Sequence, residues 1–149
     1  MKKILILLLV VTSLHAAAQQ DSLTIDPALQ KKYLVPETGT AYIGMPAEQL
    51  PAASMKKDIL DNYVKKFTKG NVKQITFQVT TGNPQVYEFI IEYSPGFNLT
   101  AFMTKKYGTP NSSDGIGNVW LVPLADGLKL RIWKYKNKLC IADARQFPE

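Results

Sequence analysis

Ile75, Phe77 and Val79 alternate with Gln74, Thr76, Gln78 and Thr80. Beyond Thr81-Gly82-Asn83-Pro84 the same period resumes, with Tyr87, Phe89, Ile91 and Tyr93 interleaved between Val86, Glu88, Ile90 and Glu92. A period of two belongs to strands that turn one face toward a core, and a short Gly-Asn-Pro turn allows antiparallel pairing only. The spacing predicts a hairpin with the aromatic side of its second strand buried. Three further strands are expected at residues 119–124, 128–135 and 139–144, joined by Ala125-Asp126-Gly127 and Lys136-Asn137-Lys138.

Two segments read as helices. Over residues 51–69, Met55, Ile59, Tyr63, Val64 and Phe67 recur at spacings of three and four with lysines between them, and Gly70 stands at the C-terminal capping position. Over residues 98–106, Leu99, Phe102 and Met103 form a stripe that Tyr107 extends, and Gly108 closes it. The resulting expectation is an α+β domain of order α-β-β-α-β-β-β: a single antiparallel sheet of about five strands with both helices packed on one face. Between the second helix and the last three strands, residues 111–118 read as a polar, glycine-containing loop.

Lys2 and Lys3, eight apolar residues at 4–11 and Ala16-Ala17-Ala18 make up the pattern of a cleaved export signal. The apolar run is too short for a bilayer-spanning helix, which needs about 20 residues. The expected domains are a signal peptide at 1–18, an N-terminal arm at 19–39 without sustained periodicity, and one domain at 40–149. The expected location is the periplasm or outside the cell. Removal of the signal leaves 131 of the 149 residues, 16 basic against 12 acidic, and a net charge of +4 where the full chain has +6. His15 departs with it, and no other histidine exists. A Ser-His-Asp triad, a Cys-His dyad and a His-containing zinc site are then excluded. Cys140 is the sole cysteine, so no intramolecular disulfide forms, and its setting in Leu139-Cys140-Ile141-Ala142 predicts burial.

Residues 98–144, with a helix ending in Tyr107-Gly108-Thr109-Pro110 followed by Trp120 and the Asp126-Gly127 hairpin, resemble the helix-then-meander units of β-lactamase-inhibitor-protein-like and small outer-membrane-assembly proteins. Ile43-Gly44-Met45-Pro46 resembles the turn that opens such units. The resemblance covers about a third of the chain; the first half has Gly70-Asn71-Val72 without a proline, and no lipobox cysteine follows the apolar run. It implies a non-catalytic extracytoplasmic protein that binds other proteins with an exposed sheet face, and it assigns no site residue.

Carboxylate chemistry has few candidates. Glu88 and Glu92 are about 13 Å apart along a strand, beyond the roughly 5–9.5 Å that glycosidases use, so salt bridges to a neighbouring strand are expected instead. Asp58 and Asp61 would share a helix face and are read the same way. No metal or organic cofactor is expected, since residues 111–118 supply a single carboxylate and neither a P-loop nor a dinucleotide fingerprint occurs. Lys129, Arg131, Trp133 and Tyr135 alternate along one strand face and form the candidate binding site, because large aromatics beside arginine are the composition of interface hot spots. The functional expectation is an exported, non-catalytic binding or envelope-structure domain whose partner is another envelope or secreted protein, or a glycan. The alternatives are a small inhibitor of a secreted enzyme and a histidine-independent enzyme. Nucleic acid is disfavoured by export and by the modest charge.

Overall fold

The computed structural model describes residues 25–51, 55–113, 115, 117–125 and 127–147, so the leader expected at 1–18 lies outside the described residues. Among those described, the chain forms one antiparallel sheet of eight strands and two short helices: α1 (Pro27–Gln30), β1 (Lys56–Lys57), β2 (Tyr63–Lys66), β3 (Val72–Val79), β4 (Val86–Tyr93), α2 (Leu99–Tyr107), β5 (Ser112–Ser113), β6 (Asn118–Pro123), β7 (Lys129–Tyr135) and β8 (Lys138–Asp143). Across the sheet the order is β1-β2-β3-β4-β8-β7-β6-β5. The five-stranded α+β arrangement with two packed helices is therefore wrong, and the error lies mainly in residues 51–69.

That segment is a hairpin. The Asp58 carboxylate accepts the N–H groups of Leu60 and Asn62 at 2.8 and 3.0 Å, closing a tight turn that competes with helix. Asp61 takes a left-handed φ of 61°, and the Asn62 side chain accepts the Val79 N–H at 3.4 Å, tying the turn to β3. Tyr63 and Val64, aromatic and β-branched, then satisfy the otherwise open edge of β3 through the pairs Tyr63↔Phe77 and Val64↔Thr76. Gly70 does adopt a positive φ, of 80°, but between β2 and β3 rather than at a helix end. Ile59, expected on a buried stripe, is fully exposed at 100%.

The remaining strands fall close to their expected places. Phe77 and Phe89 meet edge-to-face at 5.5 Å, and with Ile75, Ile91, Leu130, Ile132, Leu139 and Ile141 they are fully buried on one sheet face. Tyr87 departs from the pattern. The register passes from Val79↔Val86 to Gln78↔Glu88, so Tyr87 is the extra residue of a bulge, and Val86 fills the buried position instead. In the expected loop, Ser112 and Ser113 pair with β6 as β5.

Helix α2 lies against the buried face. The Asn98 side chain accepts the Ala101 N–H at 3.1 Å, Leu99 and Met103 are buried, and Gly108 ends the helix at φ 79°. Residues 25–50, part of which reads in sequence as a loose arm, also join this core: Ile25, Leu34, Val35, Ile43, Met45 and Leu50 belong to the same buried cluster as Phe89 and Ile132. The fully buried Gln30 amide fixes them by donating to the Ile25 and Ile43 carbonyls at 3.0 and 3.1 Å and accepting the Ile43 N–H at 2.7 Å. Tyr107 donates from its hydroxyl to the Tyr33 carbonyl at 2.9 Å, joining α2 to the same segment. Among the described residues no helix is long and apolar enough to cross a membrane.

The hairpin at residues 56–66 has a direct consequence for stability. Ile59→Lys is expected to change the unfolding free energy by less than about 0.5 kcal/mol in urea titration, as at an exposed site, whereas a helix with Ile59 in its core would lose roughly 2–5 kcal/mol.

Candidate functional site

The face opposite α2 carries the candidate residues. Strand period places Lys129, Arg131, Trp133 and Tyr135 together on it, as the sequence indicated, paired across to Leu121 and Val119 on β6 and to Ala142, Cys140 and Lys138 on β8. Ala142 and Cys140 are small, which leaves room beside them for the larger side chains of Arg131 and Trp133. The Arg131 guanidinium carbon lies 5.3 Å from the centre of the Trp133 ring and 5.5 Å from that of Phe147, and the two rings meet edge-to-face at 5.2 Å. Arginine stacked on aromatic faces gains a cation–π attraction of about 0.5–2 kcal/mol, so the group is held in place within the molecule. Arg131 and Trp133 are half-buried, Lys129 is exposed, and Tyr135 is 52% exposed with the Lys136 ammonium 5.4 Å from its ring centre.

Phe147 completes the group, and sequence reasoning missed it. It follows the 3-10 turn Ala144–Gln146, which an ion pair between buried Asp143 and the more exposed Arg145 fixes. The Asp143 side chain, 0% exposed, accepts the Arg145 backbone N–H at 2.9 Å and the Arg145 guanidinium through Nε at 3.0 Å and Nη2 at 2.7 Å. An aspartate at the end of an apolar strand, two residues before an arginine, was the available signal for a turn that folds the terminal segment back.

Beside this group lies a second feature that spacing alone did not reveal. Glu88 pairs across β4 and β8 with Ala142, which pairs in turn with Arg131, so one row crosses the sheet from Gln78 to Leu121. Glu88 is only 5% exposed, and burial raises its pKa from 4.5 to about 7, partly offset by a hydrogen bond from the Cys140 thiol. Cys140 is buried as expected, and desolvation together with the Glu88 charge pushes its thiol well above the ordinary range, so it holds its proton. The Tyr87 hydroxyl donates to Gln78 Oε1 at 2.6 Å, and burial raises its pKa too.

The two glutamates therefore differ. Glu92 pairs with Lys138 on the neighbouring strand at 3.8 Å, the cross-strand bridge expected from sequence, while Glu88 is sealed beneath the surface with a thiol. Asp58 and Asp61 sit in the β1–β2 turn instead of on a helix, and Asp61 pairs with Lys57 at 3.6 Å. Among the described residues no three histidine, cysteine or acidic side chains gather where they would hold a metal ion. No protein-family model matches the chain, and neither a curated protein nor a solved structure matches it.

Glu88 makes stability pH-dependent with a defined sign. Its folded pKa is raised, so its contribution is most favourable below the unfolded value near 4.5 and is lost as pH climbs to about 7. Between pH 4.5 and 8 the native sequence is expected to lose about 2–3 kcal/mol relative to Glu88→Gln, measured as the difference between their urea unfolding free energies.

Proposed function

We propose that this chain is an exported, non-catalytic binding domain that recognises another secreted or envelope protein through the sheet face bearing Arg131, Trp133 and Tyr135. The observation that carries this reading is the arginine–tryptophan–phenylalanine stack, fixed within the molecule and bordered by exposed Tyr135 and Lys129. Arginine, tryptophan and tyrosine dominate the energetic centres of protein interfaces, and a rigid surface loses less side-chain entropy on binding than a mobile one.

A protein partner fits this geometry better than a glycan. Stacking on a sugar needs a free aromatic face, yet Trp133 is engaged by both Arg131 and Phe147, which leaves Tyr135 as the most open ring of the group. A protein surface draws on the whole row at once. The carboxylates support a binding role over catalysis: Glu88 is buried and Glu92 is tied to Lys138, so the two do not converge on a shared opening. With a signal cleaved after Ala18, no histidine remains for acid–base work. The resemblance of residues 98–144 to helix-then-meander binding units points the same way.

Affinity capture from envelope and secreted fractions of the producing cell tests the proposal, with the native sequence, Trp133→Ala and Tyr135→Ala immobilised at equal density. A partner retained by the native protein is expected to fall at least tenfold with Trp133→Ala, the effect of losing a hot spot worth about 2 kcal/mol, and to fall measurably with Tyr135→Ala. Equal retention by all three rules the face out. Trp133→Ala is checked for an intact fold by its thermal midpoint, and exposed Tyr135→Ala serves as the variant least able to act through stability.

A further inference from the structure

On the opposite side of the sheet, the segment from α1 to Tyr42 and the end of α2 enclose a groove of about 620 Å³. Its walls include Leu34, Val35, Ala41 and Tyr42, and its charged lining residues are Lys31 and Lys106, with no aspartate or glutamate among them. The volume falls within the roughly 300–1,000 Å³ of small-molecule sites, which combine apolar walls with a few polar groups that set orientation.

The two lysines identify the ligand's chemistry. Among the described residues neither takes part in an ion pair with a carboxylate. Lys106 is half-buried and spends one of its three donors on the Lys32 carbonyl at 3.1 Å, which satisfies a hydrogen bond but supplies no counter-charge. Its pKa is lowered by burial, the direction expected of a cation short of compensation. Lys31 is exposed at the same groove. Apolar walls alone would accept any small hydrophobe; walls with two cations that pair with no carboxylate among the described residues select one that ends in an anion.

We infer that this groove binds an amphipathic carboxylate, an apolar chain or ring lying against Leu34, Val35, Ala41 and Tyr42 with its carboxylate between Lys31 and Lys106. The site is separate from the Arg131–Trp133–Phe147 face and does not depend on the role proposed for that face. Binding adds the counter-charge that no carboxylate among the described residues provides to Lys106.

Titration calorimetry of the full chain with decanoate and with decanol, both below their aggregation limits, tests the inference, because the probes share an apolar chain and differ in charge. Saturable decanoate binding at least tenfold tighter than decanol is expected, the value of roughly one charge-assisted hydrogen bond. The preference is expected to fall with Lys31→Gln and to vanish in the Lys31→Gln, Lys106→Gln double variant. Added bulk at the exposed lining residue in Thr40→Trp is expected to weaken both probes. Since Lys31 and Thr40 are exposed, these single variants read the groove without disturbing the core. Decanol binding as tightly as decanoate, a preference that survives in the double variant, or no saturable binding of either probe overturns the inference.

Discussion

The pairing of β4 with β8 organises everything else in the molecule. Residues 88–92 meet residues 138–142, joining the β1–β4 meander to the β5–β8 meander at the centre of the sheet. Such non-local contact has to offset the entropy of closing a long loop, and it does so with apolar side chains on both strand faces. Phe89 and Ile91 meet Ile141 and Leu139 on the side of α2, while Ile90 meets Cys140 on the other. Strand β8 is buried almost throughout, and its run Leu139-Cys140-Ile141-Ala142 reads as continuous apolar sequence for that reason.

The same junction determines the character of the outer face. Small residues at 140 and 142 leave space that the larger neighbouring side chains of Arg131 and Trp133 adjoin, and the Asp143–Arg145 pair brings Phe147 against them. On the other flank, pairing with Ala142 carries Glu88 below the surface, where a thiol is its hydrogen-bonding neighbour. Desolvation of this buried carboxyl raises its pKa to about 7. The arginine–aromatic cluster and the pH-sensitive carboxyl are thus two consequences of one register, although they are chemically independent.

Much of this was legible in the sequence, and the misses have physical causes. The periods of two in β3, β4 and β7, the capped stripe of α2 and the burial of Cys140 all follow from local pattern, because local and tertiary preferences agree there. Residues 51–69 failed because spacings of three and four among Met55, Ile59, Tyr63, Val64 and Phe67 do not distinguish a helix from a hairpin whose turn interrupts the count. The Asp58 side chain and the open edge of β3 decided it. Tyr87 was misplaced because a bulge shifts faces without marking the sequence. Gln30 lies in the stretch that the sequence presents as an N-terminal arm, and only the fold shows three hydrogen bonds converging on its amide. In the candidate site, strand alternation brought Arg131, Trp133 and Tyr135 together, but Phe147 and Glu88 needed tertiary contacts that no spacing encodes.

The register of β4 on β8 is open to a direct chemical measurement. Ile90 and Cys140 are directly opposed, and directly opposed residues have Cα atoms about 4.5–5.5 Å apart, within the span a disulfide bridges. Thr76 lies one strand further along the same row, roughly 9–10 Å from Cys140 and beyond that span. Oxidative refolding of Ile90→Cys from urea in a glutathione couple, in which Cys140 ionises and reshuffles before the strands close over it, is expected to yield an intramolecular 90–140 disulfide, read by free-thiol titration and peptide mass mapping, while Thr76→Cys treated identically keeps both thiols. A Thr76→Cys crosslink in place of the 90–140 bond, or two free thiols in a folded Ile90→Cys protein, would contradict the junction on which the outer face rests.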